Sequence, residues 1–382
     1  MSLSIALAAI TAVTVGLGAQ ESPTAAPAGI DPARLSQIRS TMKGFVEAGK
    51  LQGSVALVAK RGVVVLHEAF GQDGDKPMRM DHILQVRSMT KMLTAAAIVM
   101  LAEDGGLLLS DPVEKHLPEF RGQMMIGALQ SGETLELRPP SRAVTIRDLL
   151  THTSGMRPDG STLTAPPEAH WEGGVRALQT LSAVVAYRAE LPLEFEPGTR
   201  WAYSGVGFET LGRIIEVVSK QPYERFIDER IFKPLGMTDS FFFPPDEKRI
   251  RMGSMPLYPP GARFPGPGSG ANSTARDVAS FLQMMADGGT RGGRRLLSAS
   301  SVREMTTIQT GTLETWRPGA SWGLGVEVRP SSGMFGHGTW GGSYAWVDPS
   351  RQLVGVFLGV GGSAEVRDAF MAMVAAAVPN KR

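Results

Sequence analysis

The tetrad Ser88-Met89-Thr90-Lys91 is the part of the chain best suited to chemistry. Residues three apart lie on one face of a helix, so the Lys91 ammonium can reach the Ser88 hydroxyl if a helix begins here. A serine hydroxyl is a poor nucleophile until a neighbouring base takes its proton, and a desolvated lysine can have its pKa lowered enough to serve. Alone, the tetrad is weak evidence, because a capped helix with an exposed lysine gives the same string.

Two later stretches offer the groups that such a nucleophile needs. Tyr203 stands in the turn-rich segment 195–205, where a phenol close to Lys91 could accept the serine proton and pass it to the leaving group. A tyrosine with a packed ring and a hydrogen-bonded hydroxyl is the alternative. The small residues of segment 336–342, Gly-His-Gly-Thr-Trp-Gly-Gly, let a strand approach a ligand closely, and a backbone N–H there could complete an oxyanion hole.

The elements that must position these groups can be predicted from periodicity. Residues 88–103 are apolar almost all round and contain no Pro or Gly, which predicts a mostly buried helix. Asp31-Pro32 predicts the start of another helix, with Asp as the N-cap and Pro in the first turn. Further helices are predicted at 211–219, 275–286 and 364–377, and strands at 54–60, 63–70, 322–328, 334–336, 343–347 and 353–360. Strands near both ends that enclose a helical middle indicate one sheet built from the two termini, with an inserted helical domain.

Composition excludes several classes of site. The 382 residues carry a formal charge of +2 from 39 basic and 37 acidic residues, and no basic stripe suggests nucleic acid as a partner. There is no cysteine, so disulfides and thiolate chemistry are excluded. The histidines form no metal-binding motif in the sequence, and we therefore predict neither a metal nor a cofactor. These histidines are at positions 67, 82, 116, 152, 170 and 337.

The first residues are typical of an exported protein. Residues 1–19 contain an apolar run that ends in small residues, which predicts a signal peptide, and residues 20–30 read as a linker. The apolar run is too short to span a membrane, so no stable membrane insertion is predicted. We expect a periplasmic or secreted protein, with a cytoplasmic protein carrying a leader as the alternative.

In order and approximate separation, the Ser88 tetrad, Tyr203-Ser204 and the His337 strand resemble the serine β-lactamase and penicillin-binding-protein superfamily, especially its class C, DD-peptidase and family VIII carboxylesterase branch. Connecting segments are similar as well: 110–113, 117–120, 144–155, 234–237, Gly270, 273–277 and 322–325. Several matches in order are far more specific than one tetrad.

The resemblance implies an α/β (α+β) fold of the β-lactamase/DD-peptidase type, with an antiparallel sheet from both termini, flanking helices and an inserted, mostly helical domain. It implies one hydrolase domain over residues 31–380. Its sheet subdomain would comprise about 31–75 and 300–380, and its helical subdomain about 76–299.

By similarity, Ser88 is the nucleophile, Lys91 is its base partner, and Tyr203 shuttles a proton to and from the leaving atom. The oxyanion hole maps to the N–H groups of Ser88 and Trp340. The resemblance also places Gly205, His337, Gly338 and Thr339 at the substrate.

Two departures from the family pattern bear on the substrate. Gly205 stands where β-lactamases and DD-peptidases usually carry the Asn of Tyr-x-Asn, so a side-chain amide that would bind an acylamino group is missing. His337 replaces the Lys of Lys-Thr-Gly and is mostly neutral at pH 7, so a fixed charge partner for a substrate carboxylate is lost. Thr339 also stands where a Gly usually follows, which would narrow the strand edge beside the acyl group.

These departures favour a carboxylesterase for short or medium acyl esters, with a β-lactamase or D-Ala-D-Ala-type peptidase as the alternative. A non-turnover sensor of β-lactams or peptidoglycan is the alternative of a different class. The expected partner is a small-molecule ester or lactam, and the sequence indicates no particular oligomeric state.

Overall fold

A computed structural model describes residues 30–127, 136–158, 176–253, 259, 261–339, 341–362 and 364–378. The predicted signal peptide, nearly all of the predicted linker, His170 and Trp340 lie outside these residues. No helix of the described part is long and apolar enough to cross a membrane.

The described residues form ten α-helices and fourteen strands. The helices are α1 Pro32–Glu47, α2 Thr90–Glu103, α3 Val113–His116, α4 Ile146–Leu150, α5 Leu181–Ala189, α6 Gly205–Ser219, α7 Tyr223–Ile227, α8 Ala275–Ala286, α9 Ala299–Thr306 and α10 Ala364–Ala377. The strands are β1 Gly53–Lys60, β2 Val63–Asp73, β3 Lys76–Pro77, β4 Leu84–Gln85, β5 Met125–Ile126, β6 Leu137–Arg138, β7 Asn272–Ser273, β8 Thr290–Arg291, β9 Arg294–Arg295, β10 Ser321–Trp322, β11 Glu327–Arg329, β12 Met334–Gly338, β13 Tyr344–Asp348 and β14 Leu353–Val360.

One eight-stranded antiparallel sheet joins the two ends of the chain. Its order is β10-β11-β12-β13-β14-β1-β2-β3. The junction is the pairing of β1 with β14, which runs from Gly53 opposite Val360 to Lys60 opposite Leu353. The predicted fold class, a mixed fold with a large antiparallel sheet and flanking helices, is therefore confirmed.

Both faces of this sheet are covered, which is why β1 is buried along its whole length. Alternate residues of a strand point to opposite faces. Val55, Leu57 and Ala59 pack into a core shared with α2 and α8, which we call the inner core. Ala56 and Val58 pack into a core shared with α1 and α10, which we call the outer core.

Helix α1 starts as predicted. The Asp31 carboxylate accepts hydrogen bonds from the backbone N–H groups of Ala33 and Arg34, with Pro32 in the first turn. These contacts satisfy N–H groups that a helix start otherwise leaves without partners.

The structure corrects two element predictions. The predicted strand 322–328 is two short strands, β10 and β11, separated by a bend at Gly325, whose φ is +71°. A β-carbon on Gly325 would lie 2.4 Å from that of Ala95, so the bend belongs to the close approach of this segment to α2. Helix α6 begins at Gly205 rather than Leu211, because the Ser204 hydroxyl accepts from the Gly207 N–H and caps the helix despite the two glycines in its first turn.

Candidate active site

Ser88 lies at the turn between a short strand pair and a buried helix. Strand β4 pairs with β7, and the Val86 N–H donates to the Ala271 carbonyl over 2.9 Å. At Arg87 the backbone enters the left-handed region with φ +46°, which is uncommon for a residue other than glycine. A 3₁₀ turn over Arg87–Met89 then presents Ser88, and α2 follows. The helix predicted from residue 88 therefore begins as a 3₁₀ turn.

Lys91 is buried in α2, with 2% of its surface exposed. Its ammonium donates to the Gly268 carbonyl over 2.8 Å. A β-carbon on Gly268 would lie 3.3 Å from that ammonium, so glycine allows this close approach. The same loop donates the Ala271 N–H to the Thr90 hydroxyl over 3.1 Å. These bonds fix the lysine one turn along the helix from Ser88.

Tyr203 lies over Lys91, as the sequence predicts. The Lys91 ammonium is 4.7 Å from the centre of the Tyr203 ring and 5.4 Å from that of Phe208, both within the range of a cation–π contact. The Tyr203 ring also packs 4.4 Å from the ring of His152. His152 Nδ1 accepts the backbone N–H of Ser204 over 3.1 Å and so braces the segment that carries Tyr203.

His337 lies on strand β12, beside Tyr203. Its Nδ1 is 2.8 Å from the Gly338 carbonyl, which can only accept, so Nδ1 carries the proton. Nε2 is then an acceptor, and it lies 3.5 Å from the Tyr203 hydroxyl. Burial and the nearby Lys91 cation lower the pKa of His337 to about 3. This imidazole is therefore neutral at pH 7, and its Nε2 can accept a hydrogen bond from the phenol.

His152 is held in the same neutral state. Burial comes first, and the charge of Lys91 adds to it, so the pKa of His152 lies well below its usual range. Lys91 is thus surrounded by rings and neutral imidazoles.

A cavity of about 290 Å³ opens at Ser88. Of the predicted site residues, Ser88, Tyr203, Gly338 and Thr339 line it. Its remaining lining residues are Trp316, Arg317, Glu327, Gly342, Tyr344, Ala364 and Arg367.

Two predicted substrate contacts are revised by this geometry. His337 is fully buried, and neither it nor Gly205 lines the cavity. We therefore assign His337 to Tyr203 rather than to the substrate. Gly205 is the first residue of α6, next to its cap. The predicted oxyanion donor Trp340 lies outside the described residues.

Comparison with known proteins gives a family match over most of the chain. A family model described as Beta-lactamase matches residues 38–378. The chain belongs to the Beta-lactamase family.

Members of this family that resemble the chain differ in what their names state. Protein Rv1367c of Mycobacterium tuberculosis (strain H37Rv) is 32% identical, with 84% of this chain and 88% of that protein covered. The lovastatin esterase of Penicillium rubens is 32% identical over 58% of this chain and 57% of its own length. The solved structure of EstCE1, a hydrolase with promiscuous acyltransferase activity, has a TM-score of 0.72 at 23% identity and covers 91% of this chain and 98% of its own.

Several residues of this Beta-lactamase family site were not predicted. Trp316 and Arg317 lie on the loop between α9 and β10, and Arg367 lies on α10. The Glu327 carboxylate is fully buried, pairs with Arg317 and accepts the Tyr344 hydroxyl over 3.2 Å. No motif marks these residues, although the strand order places β10 and β11 beside β12.

Two histidines pair with carboxylates elsewhere in the molecule. His82 Nε2 lies 3.3 Å from Asp73, and His116 Nε2 lies 2.9 Å from Asp111. Within the part of the chain that the structure describes, no group of three or more histidine, aspartate or glutamate side chains is arranged to hold a metal ion.

Proposed function

We propose that the protein is a carboxylesterase that hydrolyses short or medium acyl esters through an acyl-enzyme on Ser88. The observation that carries the proposal is the neutral, buried His337 beside Tyr203, at the position where the resemblance expects a cationic lysine at the substrate. A site with this imidazole has no fixed charge on β12 to attract the carboxylate that β-lactams and peptidoglycan peptides present.

In the proposed reaction, the Lys91–Tyr203 pair reacts in the form that has lost one proton. The Ser88 oxygen attacks the ester carbonyl carbon while the Ser88 proton passes to this pair. The tetrahedral intermediate collapses, the carbon–oxygen bond to the alcohol breaks, and Tyr203 gives the leaving oxygen a proton. Water then attacks the acyl carbon and gives a proton to the Lys91–Tyr203 pair. The bond from that carbon to the Ser88 oxygen breaks, and Ser88 regains its proton from the pair. His337 Nε2 accepts from the Tyr203 hydroxyl and so orients it between Lys91 and the leaving oxygen.

Esters suit this site better than amides. An alkoxide leaving group needs less protonation than an amine, so a Tyr203 backed by a neutral imidazole suffices. Gly205 has no side chain to bind an acylamino group, and the lovastatin esterase shows by its name that the family includes an esterase. A site rejects the wrong substrate strongly only where that substrate would leave a buried polar group of the site unpaired. Gly205 supplies no such group to favour an acylamino substrate.

The test is hydrolysis of p-nitrophenyl butyrate and nitrocefin by wild type and Ser88→Ala in parallel, with mass spectrometry for a trapped acyl-enzyme. We expect ester turnover by wild type, loss of turnover in Ser88→Ala, and slow or no nitrocefin turnover. Efficient nitrocefin hydrolysis would contradict the ester assignment, and a single stoichiometric acylation without turnover would favour a sensor.

A β-lactamase or DD-peptidase is the second candidate, and one observation favours it. Arg317 and Arg367 line the same cavity as Ser88, so guanidinium groups are available for a substrate carboxylate despite the neutral His337. Arg317 is paired with Glu327 and Arg367 with Asp368, which reduces the positive charge that they offer. Nitrocefin turnover that falls in Arg367→Ala, while p-nitrophenyl butyrate turnover stays constant, would favour this candidate.

We also propose that the chain is exported, on the pattern of residues 1–19 alone. The mature protein would then begin after about Ala19, which N-terminal sequencing of protein recovered from the periplasm of a bacterial host would reveal.

A further inference from the structure

Trp316 is the one aromatic side chain among the large apolar residues that the described part of the chain leaves exposed, with 41% of its surface accessible. It lines the cavity that opens at Ser88. An exposed tryptophan presents a large apolar surface to solvent, which is unfavourable unless a partner covers it. Its position at the cavity makes the substrate that partner.

The ring of Trp316 is held in place by other rings. It stacks on Tyr203 with centroids 5.2 Å apart and planes 20° from parallel. Trp322 meets it edge-on at 5.4 Å and Trp201 at 5.9 Å. Since Trp322 and Trp201 are themselves buried, Trp316 is a fixed surface whose loss of freedom on binding is small.

The stacking on Tyr203 tells which part of a substrate would meet this surface. In the proposed reaction, Tyr203 protonates the leaving oxygen, so that oxygen lies within hydrogen-bond reach of the phenol, about 3 Å. The atoms attached to it continue past Tyr203 along the same cavity. Trp316 stacks on the same Tyr203 ring and lines the same cavity, so its ring is available to these atoms.

We propose that Trp316 forms an aromatic subsite for the alcohol portion of the ester, and that the enzyme prefers alcohols with a planar ring one carbon from the ester oxygen. This inference rests on the proposed esterase function and adds the class of leaving group. A planar ring stacks or meets Trp316 edge-on, and such pairs contribute beyond the area that they bury.

The experiment compares benzyl acetate with cyclohexylmethyl acetate, whose alcohols have similar size and reactivity and differ in planarity. Wild type should hydrolyse benzyl acetate with a kcat/KM about threefold to tenfold higher, the range expected for an aromatic pair. Trp316→Phe should keep most of this preference. Trp316→Leu, which stays apolar but has no ring, should lose it.

The ratio between the two esters separates binding from indirect effects. A variant that merely disturbs Tyr203 or the loop would slow both esters equally and leave the ratio unchanged. Methyl phenylacetate and methyl cyclohexylacetate place the same two rings on the acyl side. The ratio of kcat/KM between these two esters should be the same in wild type and Trp316→Leu. A change confined to the acyl series would overturn the assignment to the alcohol side.

The outcomes distinguish this inference from the proposed function. Turnover of both alcohol series with equal ratios in wild type and Trp316→Leu would overturn the subsite while leaving the esterase assignment in place. Failure of wild type to hydrolyse any of these esters, while it turns over nitrocefin, would overturn both.

Discussion

At the scale of single residues, the site is built around one buried cation. The Lys91 ammonium donates to the Gly268 carbonyl and faces the rings of Tyr203 and Phe208. Its charge helps to lower the pKa of both nearby histidines, which therefore accept hydrogen bonds instead of carrying charge. The Tyr203 ring lies over this cation, and its hydroxyl lies 3.5 Å from Nε2 of the neutral His337.

Removal of the Tyr203 hydroxyl should affect esters according to their leaving group. In Tyr203→Phe the ring and its packing remain, but no proton can be given to the leaving oxygen. We expect kcat/KM to fall by about 100-fold or more for ethyl butyrate and by about tenfold for p-nitrophenyl butyrate, because p-nitrophenol leaves without protonation.

Steady-state kinetics on both esters will check this expectation, with Tyr187→Phe on α5 as the matched control outside the site. Equal losses on the two esters would indicate that Tyr203 acts only on the attacking serine.

The burial of His337 makes stability depend on pH in a definite direction. Its pKa is about 3 in the folded protein and about 6.5 in an unfolded chain, so the unfolded state binds more protons between these values. The contribution of the neutral ring to the free energy of unfolding is therefore fully present above pH 6.5. This contribution is lost as the pH falls from 6.5 towards 3. Between pH 7 and pH 5 this loss amounts to about 2 kcal/mol.

His337→Gln removes the titrating group and should therefore flatten this part of the pH dependence. Urea unfolding at pH 7 and pH 5 will measure the difference, with His67→Gln as a control for a histidine that is only partly buried. The same slope in wild type and His337→Gln would mean that the ring is protonated in the folded state.

At the scale of elements, positioning depends on how closely the segment after β10 approaches α2. Gly325 donates its N–H to the Leu150 carbonyl over 3.0 Å and lies against Ala95, one turn beyond Lys91. A shift of this contact would move the helix that carries Lys91 and, with it, the 3₁₀ turn that carries Ser88.

Gly325→Ala should therefore damage both stability and catalysis. The new methyl would require a positive φ, which costs about 1 to 2 kcal/mol, and overlap with Ala95 adds about 1 to 3 kcal/mol. Gly333→Ala is the matched control, since its φ is +67° and nothing lies within 4 Å of the new methyl.

Chemical denaturation and p-nitrophenyl butyrate kinetics on both variants will separate the two effects. We expect Gly333→Ala to lose only the cost of the positive φ and to keep its kcat. A Gly325→Ala variant with wild-type kcat would show that α2 does not transmit this contact to the site.

The elements also explain what the sequence could reveal. The helix from residue 88 and the strands 353–360 and 54–60 were predictable because their apolar patterns are long and uninterrupted. The sequence could single out Ser88, Lys91 and Tyr203 as a candidate site because the chemistry restricts their types and the motif order restricts their places. Trp316 and Arg317 were not, since they lie on a loop without periodicity that reaches the cavity only through tertiary packing. The sequence predicts one continuous strand across the bend at Gly325 because the residues on both sides of it favour strands.

At the scale of the whole molecule, the sheet separates two cores with different duties. The inner core contains α2 and the residues packed against Lys91, such as Phe208. The outer core lies on the other face of the sheet. It contains α1, α10 with Phe370, and the side chains of β1, β13 and β14 that point to that face. Both cores stabilise the sheet, and Phe208, the core ring that contacts Lys91, belongs to the inner core.

Two matched substitutions should separate these duties. Phe208 and Phe370 are both fully buried, so truncation of either to Ala should lower the free energy of unfolding by about 3 to 5 kcal/mol. Phe370 packs against the rings of Phe357 and Trp346 and does not line the cavity at Ser88. Phe370→Ala should therefore keep kcat/KM within about twofold of wild type under conditions where it is fully folded. Phe208→Ala removes a ring from beside Lys91 and His152, and we expect its kcat/KM to fall by about tenfold or more.

Urea unfolding followed by p-nitrophenyl butyrate kinetics on the folded variants gives both quantities. Equal losses of activity in the two variants would show that the sheet couples its faces, and that catalysis depends on the rigidity of the whole fold rather than on the rings around Lys91.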